Sequence, residues 1–182
     1  MSRGHYKPFG VALAAVLLCA ANSAPTTVTH GGWSAWTDSP GVPNKIGPTC
    51  KMESRLGQVT ITLEASGWKP GWLSINAVST KWDFGTSTTE APADIIARGY
   101  GTMHVTGNAW SDSHGRPLIT LGLSGPRAAA FLSALEHSNG VTVFVYVPTV
   151  HPIDVPLPGV TKAIMHFLQC AGPQLFPAQR TN

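Results

Sequence analysis

Charged side chains are scarce in this sequence. Only 12 % of its 182 residues are Asp, Glu, Lys or Arg, and the basic residues form no cluster after Lys7. Proteins that bind nucleic acids or anionic membranes use patches of Lys and Arg. The formal net charge of +3 falls to +1 once Arg3 and Lys7 are discounted. The composition therefore gives no electrostatic support to either partner class.

Long hydrophobic runs are also missing. The longest apolar stretch, residues 11–18, is shorter than the roughly 20 residues that a membrane-spanning helix needs. It follows Arg3 and Lys7 and precedes small residues at 20–24, which is the layout of a secretory signal peptide. We therefore expect a signal peptide over residues 1–24, no membrane span, and a periplasmic or secreted mature protein.

Cysteine is the third scarce residue type, with copies only at Cys19, Cys50 and Cys170. Signal-peptide cleavage removes Cys19, and the Val-Leu-Leu tripeptide before it is unlike the sequence that precedes a lipid-modified cysteine. Neither remaining cysteine has a Cys or His neighbour at metal-ligand spacing. In an oxidising compartment, the two remaining thiols predict a Cys50–Cys170 disulfide.

Metal-binding spacings are missing as well. The histidines after the signal peptide form no H-x-H or H-x-x-x-H pattern; they are His30, His104, His114, His137, His151 and His166. The acidic residues are scattered, so their spacing does not predict the carboxylate pair of a glycosidase. We expect no metal site and no cofactor.

Two short motifs offer an alternative in hydrolysis. Ser124, in Gly-Leu-Ser-Gly-Pro, is similar to a nucleophile elbow, but Pro126 stands where that motif has glycine. A helix N-cap explains the same serine. Asp112 and His114 share one segment, and a turn explains both. A small secreted hydrolase using Ser124 or the Asp112/His114 loop is therefore the catalytic alternative to a protein without catalytic residues.

Several segments of the sequence show the alternation of apolar and polar residues that is typical of β-strands. Apolar and polar side chains alternate over 58–64 and again over 73–77, with turn residues between them, which predicts a hairpin. Further strands are predicted at 82–85, 101–106, 117–123 and 141–147.

Two segments have a helical period instead. Ser124-Gly125-Pro126 can start a helix that ends at Asn139-Gly140. A second helix is predicted up to Cys170, with an apolar face formed by Val160, Ala163, Ile164, Phe167 and Leu168.

These patterns predict an α+β, β-rich fold. We expect an antiparallel sandwich or curled half-barrel with two short helices and one disulfide. The predicted organisation is a signal peptide (1–24), an N-terminal extension and loop (25–49), a single globular domain (50–171) and a loose tail (172–182).

Tryptophan is the notable aromatic, with six copies. Trp33, Trp36, Trp68 and Trp110 fall in predicted loops, where a large rigid ring gives contact area at little entropic cost. We therefore predict these four as binding aromatics, with packing in the core of a small sheet domain as the alternative role. Trp72 and Trp82 fall next to or inside predicted strands, which favours the core.

The order of three segments resembles a known family. The first segment is Trp-Ser-Ala-Trp-Thr-Asp followed by Thr-Cys-Lys-Met, the second is Ala-Ala-Phe-Leu-Ser-Ala-Leu before Val-Thr-Val-Phe-Val, and the third is Val-Pro-Leu-Pro-Gly with a terminal Cys170. In this order they resemble small exported proteins of Alphaproteobacteria, in particular the invasion-associated locus B family. The likeness covers residues 33–170. It implies a periplasmic or surface-associated, non-enzymatic protein at the envelope or host interface, and it implies no catalytic residue.

We expect a non-catalytic binding or adaptor protein of the cell envelope, with a role in host interaction as one variant. Its partner would be an envelope or extracellular protein, or a glycan. A second alternative is an inhibitor or immunity-type protein that blocks a periplasmic enzyme through the Pro-rich segment 148–159, because such loops are preorganised.

Overall fold

The computed structural model describes residues 27–38, 48–67, 69–85 and 87–176. The predicted signal peptide, much of the predicted loop before Cys50, Trp68 and the last residues of the chain lie outside these ranges.

The described residues form one antiparallel sheet of ten strands, which is not closed into a barrel. The spatial order is β1-β2-β3-β4-β5-β8-β7-β6-β9-β10. The strands are β1 (Val28–His30), β2 (Trp33–Asp38), β3 (Thr49–Leu56), β4 (Val59–Ser66), β5 (Trp72–Ser79), β6 (Thr89–Ala97), β7 (Gly101–Ser111), β8 (Pro117–Ser124), β9 (Val141–Val145) and β10 (Ile153–Val155). The β-rich α+β fold class predicted from the sequence is confirmed.

Side-chain alternation fixes which face of the sheet is buried. Along β4, Ile61 and Leu63 are buried, whereas the polar residues between them face solvent. The register continues this division into β5, where Leu63 pairs with Ile75. A slip of one residue would expose the whole apolar set, so the alternation specifies the register.

Two helices cover the buried face of the sheet, namely α1 (Gly125–His137) and α2 (Val160–Leu175). Helix α2 packs against β1 to β5, and α1 packs against α2, β5 and β8. Their largest buried side chains are Phe131 and Phe167, and each can contribute about 1.5 to 3 kcal/mol by leaving water.

The predicted disulfide is confirmed. Cys50 on β3 is bonded to Cys170 on α2, with 5.8 Å between their Cα atoms and a separation of 120 positions in sequence. The bond joins the first half of the sheet to the last helix, which holds α2 over the core.

A second long-range link uses Trp33. This residue is completely buried, and its indole N–H donates a hydrogen bond of 2.8 Å to the carbonyl oxygen of Pro156. Next to it, Gly31 has φ of +59°, and a Cβ there would lie 2.6 Å from the Pro158 carbonyl oxygen. The turn between β1 and β2 therefore lies against the connection from β10 to α2.

Several elements differ from the sequence-based assignment. Strands β1 and β2 lie before Cys50, in the region assigned to an N-terminal extension, and they belong to the same sheet as the rest. The predicted strand at 82–85 is wrong, because those residues connect β5 to β6. Strand β6 was missed, and it contains Pro92, a residue that argues against a central strand. Pro92 is tolerated because the ladder to β9 begins only at Ala93.

Helix α2 is longer than the tail boundary at residue 172 implies. It runs through Pro173 to Leu175, although proline inside a helix removes a hydrogen bond. Buried Ala171 and Leu175 hold this last turn against the core. The Gln174 side chain also donates to the Pro48 carbonyl oxygen at 2.9 Å, which compensates part of the loss.

Candidate functional site

The candidate site lies on the solvent-exposed face of the sheet. Antiparallel register places one polar residue of each of seven neighbouring strands in a line perpendicular to the strands. We call this line the polar row; in spatial order it consists of Ser34, Glu53, Thr62, Asn76, Thr120, Asn108 and Glu90. Because cross-strand neighbours interact directly, the row forms a continuous polar strip.

A groove of about 760 Å³ runs over the middle of this face. The five central members of the polar row line it, together with Trp36, Trp72 and Trp110. Its volume falls within the range of about 300–1,000 Å³ that is typical of ligand sites. The solvated face of an antiparallel sheet needs only polar residues, so three tryptophans on it are unexpected for a purely structural surface.

Trp72 is the central aromatic residue of the groove. It lies on β5, and its ring reaches over Gly122 of β8: a Cβ at Gly122 would be 1.9 Å from Cζ2 of the indole. Only glycine leaves room for the ring to lie directly on the backbone. The Lys69 ammonium lies 3.6 Å from the centroid of the same ring. A cation–π contact at an exposed site contributes about 0.5 to 1 kcal/mol, which a ligand can replace.

Trp36 and Trp110 lie towards the two ends of the groove. Trp36 on β2 is the cross-strand neighbour of Lys51, and its indole N–H donates to Asp38 at 3.0 Å. Trp110 on β7 is the cross-strand neighbour of Leu118. Both rings are partly exposed, so each can contact a bound molecule.

The polar row is partly fixed by its own hydrogen bonds. The Thr120 hydroxyl donates to Oδ1 of Asn76 at 2.9 Å, and the Thr62 hydroxyl donates to Oε2 of Glu53 at 3.1 Å. Since the oxygen of Asn76 accepts from Thr120, its NH₂ group is directed away from that bond. Preorganised polar groups of this kind bind a ligand without ordering themselves first.

The charges of the groove balance. Its lining contains three cationic and three anionic side chains, which are Lys51, Lys69, Arg116, Glu53, Glu64 and Asp112. Lys51 pairs with Asp38 at 2.8 Å and approaches Glu64 at 4.0 Å. Burial lowers the pKa of Lys51, but its hydrogen bond to Asp38 and the nearby carboxylates outweigh burial and leave this pKa raised. Lys51 is therefore a fixed cation within a neutral surface.

Asp112 forms part of a tight turn at one end of the groove. Its carboxylate accepts hydrogen bonds from the backbone N–H groups of His114 and Arg116, both at 2.9 Å, and from the Arg116 guanidinium. The hydrogen bonds from Arg116 lower the pKa of Asp112 to about 2. A carboxylate that stays ionised near neutral pH cannot act as a general acid, and these contacts favour the turn interpretation.

Ser124 ends β8 just before α1. It occupies the N-cap position with extended backbone, but its side chain makes no capping hydrogen bond, so the side-chain part of the N-cap interpretation is wrong. Its cross-strand neighbour is Trp72. Within the described ranges, no hydrogen bond joins Ser124 to a His, Asp or Glu side chain.

A titratable cluster that the sequence did not reveal lies beside the groove. Asp94 of β6 and His104 of β7 are cross-strand neighbours, joined by a hydrogen bond between Oδ1 and Nδ1 of 2.5 Å. The Tyr146 hydroxyl donates to Oδ2 of Asp94 at 2.7 Å. The hydrogen bond from Tyr146, followed by that from His104, lowers the pKa of Asp94. The hydrogen bond to Asp94 raises the pKa of Tyr146. The cluster depends on β6, a strand that the pattern did not predict.

This cluster lacks the third member of a catalytic triad. Among the described residues, no Ser, Thr or Cys side chain hydrogen-bonds to the other ring nitrogen of His104. The same residues contain no group of three potential metal ligands, and no helix in the described ranges is long and apolar enough to cross a membrane.

The predicted binding aromatics have different positions. Trp36 and Trp110 lie in the groove, although on strands rather than in loops. Trp33 is buried in the core and offers no binding surface, and Trp68 lies outside the described residues. Trp82 is buried as expected. Trp72, expected in the core, instead lines the groove. The sequence signal for this is that Trp72, Ser74 and Asn76 alternate along β5 and therefore lie on the same, polar face of the strand.

The Pro-rich segment 148–159 is largely part of the fold. It contains β10, whose Ile153 and Val155 are buried and paired with β9. The Pro156 carbonyl accepts the hydrogen bond from Trp33. Its exposed residues are Pro148, Thr149, His151 and Pro152 in the first part, and Asp154 and Pro158 further on.

Comparison with known proteins gives no match: no family model, no curated protein and no solved structure is significantly similar to the chain.

Proposed function

We propose that the protein is a non-catalytic binding protein of the periplasm or cell surface, and that the groove over the polar row is its binding surface. The observation that supports this most strongly is the combination of three partly exposed tryptophans and a row of polar residues on the solvated face of one rigid sheet. Sites built on strands hold their side chains more precisely than sites built on loops.

The conformation of Trp72 supports a role in binding. A tryptophan that only covers the sheet could pack beside a larger residue, whereas here Gly122 leaves the backbone bare beneath the ring. Large aromatic residues account for most of the energy at many binding surfaces. Trp72, Trp36 and Trp110 are therefore the contact residues in this proposal.

A location outside the cytoplasm is part of the proposal. The Cys50–Cys170 disulfide is typical of oxidising compartments, and the predicted signal peptide supplies the route. The resemblance to the invasion-associated locus B family suggests the same location at the envelope or host interface.

Binding is favoured over hydrolysis by the state of the polar groups. The carboxylates on the groove floor are Glu53 and Glu64, and each already has a partner in Thr62 or Lys51. Asp112 is held by Arg116. None of these three carboxylates is without a hydrogen-bonding or ionic partner, whereas a general acid must be free to give its proton to a substrate.

The proposal is tested by comparing ligand capture by matched variants. The mature protein, Trp72→Ala and the control Tyr100→Ala, which changes an exposed ring in the β6–β7 turn, are immobilised and exposed to separated protein, glycan and small-molecule fractions of the cell envelope. We expect a component that binds the wild type and Tyr100→Ala but not Trp72→Ala. Equal capture by all three variants, or conversion of the captured component into products, would contradict the proposal.

The same experiment separates the two alternatives. An inhibitor that uses the segment 148–159 would retain its target enzyme in Trp72→Ala and lose it when exposed Thr149 and His151 are substituted. A hydrolase using Ser124 would release product, and Ser124→Ala would stop that release.

A further inference from the structure

We infer that the groove binds an uncharged polysaccharide chain, lying along the polar row and across the strands. This inference rests on the proposed function, because it assigns a ligand class to the same groove. It follows from the charge, length and surface chemistry of the site.

The charge of the groove excludes a strongly charged polymer as the best ligand. Its three cations and three anions cancel, and four of the six form the pairs Lys51–Glu64 and Arg116–Asp112. A polyanion would have to separate these pairs, and the Glu53 and Glu64 carboxylates would repel it. An uncharged ligand leaves every pair intact.

The length of the site indicates an extended ligand. The groove crosses six strands, from β2 to β7 in spatial order, and five inter-strand spacings of about 4.8 Å give roughly 24 Å along the sheet surface. The tryptophans are spread over the same strands, with Trp36 and Trp72 on one side of the polar row and Trp110 on the other. A chain of several linked rings can contact all three, whereas a single small molecule cannot.

The surface chemistry matches that of sugar rings. A pyranose presents an apolar C–H face and a rim of hydroxyl groups, each of which both donates and accepts hydrogen bonds. The groove offers flat indole faces for the first, and hydroxyl, amide and carboxylate groups at neighbouring positions for the second. Thr62, Asn76 and Thr120 are in position to interact with such a rim, and the Trp72 ring lies over Gly122 next to them.

An extended peptide fits the groove less well. Peptides that bind to sheets add a strand at an edge through backbone hydrogen bonds. The groove lies instead on the face of β2, β3, β4, β5, β8 and β7, each of which is paired on both sides. Among the described residues that line it, the aliphatic side chains are Val78 and Leu118, so beyond the indole rings an aliphatic side chain of a peptide would find few partners.

The test is affinity electrophoresis of the mature protein in native gels. The gels contain soluble uncharged polysaccharides of different backbone and linkage, including α-glucans, β-glucans and galactomannans, and one charged polysaccharide serves for comparison. Besides the wild type, the variants are Trp72→Ala, Gly122→Ala and the control Tyr100→Ala. Gly122→Ala keeps every groove side chain but forces the indole to move, because the new Cβ would lie 1.9 Å from it.

We expect retardation by at least one uncharged polysaccharide, with no loss at high salt. Trp72→Ala and Gly122→Ala should weaken the apparent affinity by roughly tenfold or more, which corresponds to about 1.4 kcal/mol, while Tyr100→Ala leaves it unchanged. Unfolding midpoints of the variants establish that they are folded.

Three results would overturn the inference: no retardation by any uncharged polysaccharide, equal retardation of wild type and groove variants, or retardation only by the charged polysaccharide at low salt. Failure of the inference is distinguishable from failure of the proposed function. If the envelope component whose capture depends on Trp72 is a protein, the assignment of a polysaccharide ligand is wrong, but the proposed binding function is still supported. If no captured component depends on Trp72, the function itself is wrong.

Discussion

The indole of Trp72 lies directly on the backbone of Gly122, two residues on adjacent strands that are 50 positions apart in sequence. Nothing in the local sequence requires a glycine at that point of β8. The glycine is needed because the ring of a residue on β5 occupies the space where a Cβ would be. This pair therefore couples the shape of the groove floor to the position of its central aromatic ring.

The pair can be tested by a double-mutant cycle. Gly122→Ala alone should displace the Trp72 ring, whereas the same change in a Trp72→Ala background should be tolerated because the space is then empty. We expect a coupling energy of about 1 kcal/mol, within the range for residues in contact. Urea unfolding of the four proteins measures it, and additive effects would contradict the described contact.

Removing the disulfide should destabilise the protein strongly. Cys50 and Cys170 close a loop of 120 residues, for which chain entropy predicts about 5 kcal/mol. Cys50→Ser/Cys170→Ser should therefore unfold at a much lower urea concentration, as should the wild type in a reductant. Unchanged midpoints in both would show that the bond does not constrain the unfolded chain.

Trp33 is expected to stabilise the fold and to have no part in binding. Trp33→Phe removes the hydrogen bond to the Pro156 carbonyl and leaves a small cavity, so the free energy of unfolding should fall by about 1 to 3 kcal/mol. The matched variant Trp110→Phe, at a partly exposed position, should cost less than about 0.5 kcal/mol. Denaturant unfolding checks both, and a larger cost for Trp110→Phe would contradict the assignment.

The Asp112 turn predicts a defined pH dependence. Its folded pKa is about 2, below the usual value of 3.8, so the carboxylate stabilises the fold above pH 3.8 and this contribution is lost as the pH falls towards 2. The difference in unfolding temperature between wild type and Asp112→Asn should therefore be largest above about pH 5 and shrink on acidification. Thermal unfolding across this range measures it; a difference that grows at low pH would contradict the lowered pKa.

Local patterns were enough to predict much of the fold. The β4–β5 hairpin follows from the alternation around Ile61 and Ile75, and helices α1 and α2 follow from their apolar stripes. The Cys50–Cys170 bond follows from counting the cysteines of a chain that is predicted to be exported. Each of these depends on neighbouring residues or on composition.

The groove could not be predicted in this way, because it depends on which strands are neighbours. Asn76 and Thr120 are hydrogen-bonded across 44 positions, and their strands are adjacent only because β8 pairs with β5 while β6 and β7 lie further along the sheet. In the same way, Asp94 lies beside His104 only because β6 pairs with β7, and the sequence pattern did not predict β6. The alternation along β5 indicates that Trp72 lies on the exposed face of the sheet, but the local sequence does not predict its contact with Gly122.

The measurement that tests the central claim most directly is the response of the individual indole N–H signals in nuclear magnetic resonance spectra. The signals are assigned by single substitutions, and the mature protein is titrated with an uncharged oligosaccharide derived from the polysaccharide that retards it most. We predict that the signals of Trp36, Trp72 and Trp110 shift, while those of buried Trp33 and Trp82 do not. Shifts confined to Trp33 and Trp82, or no shift of any groove indole, would contradict the account.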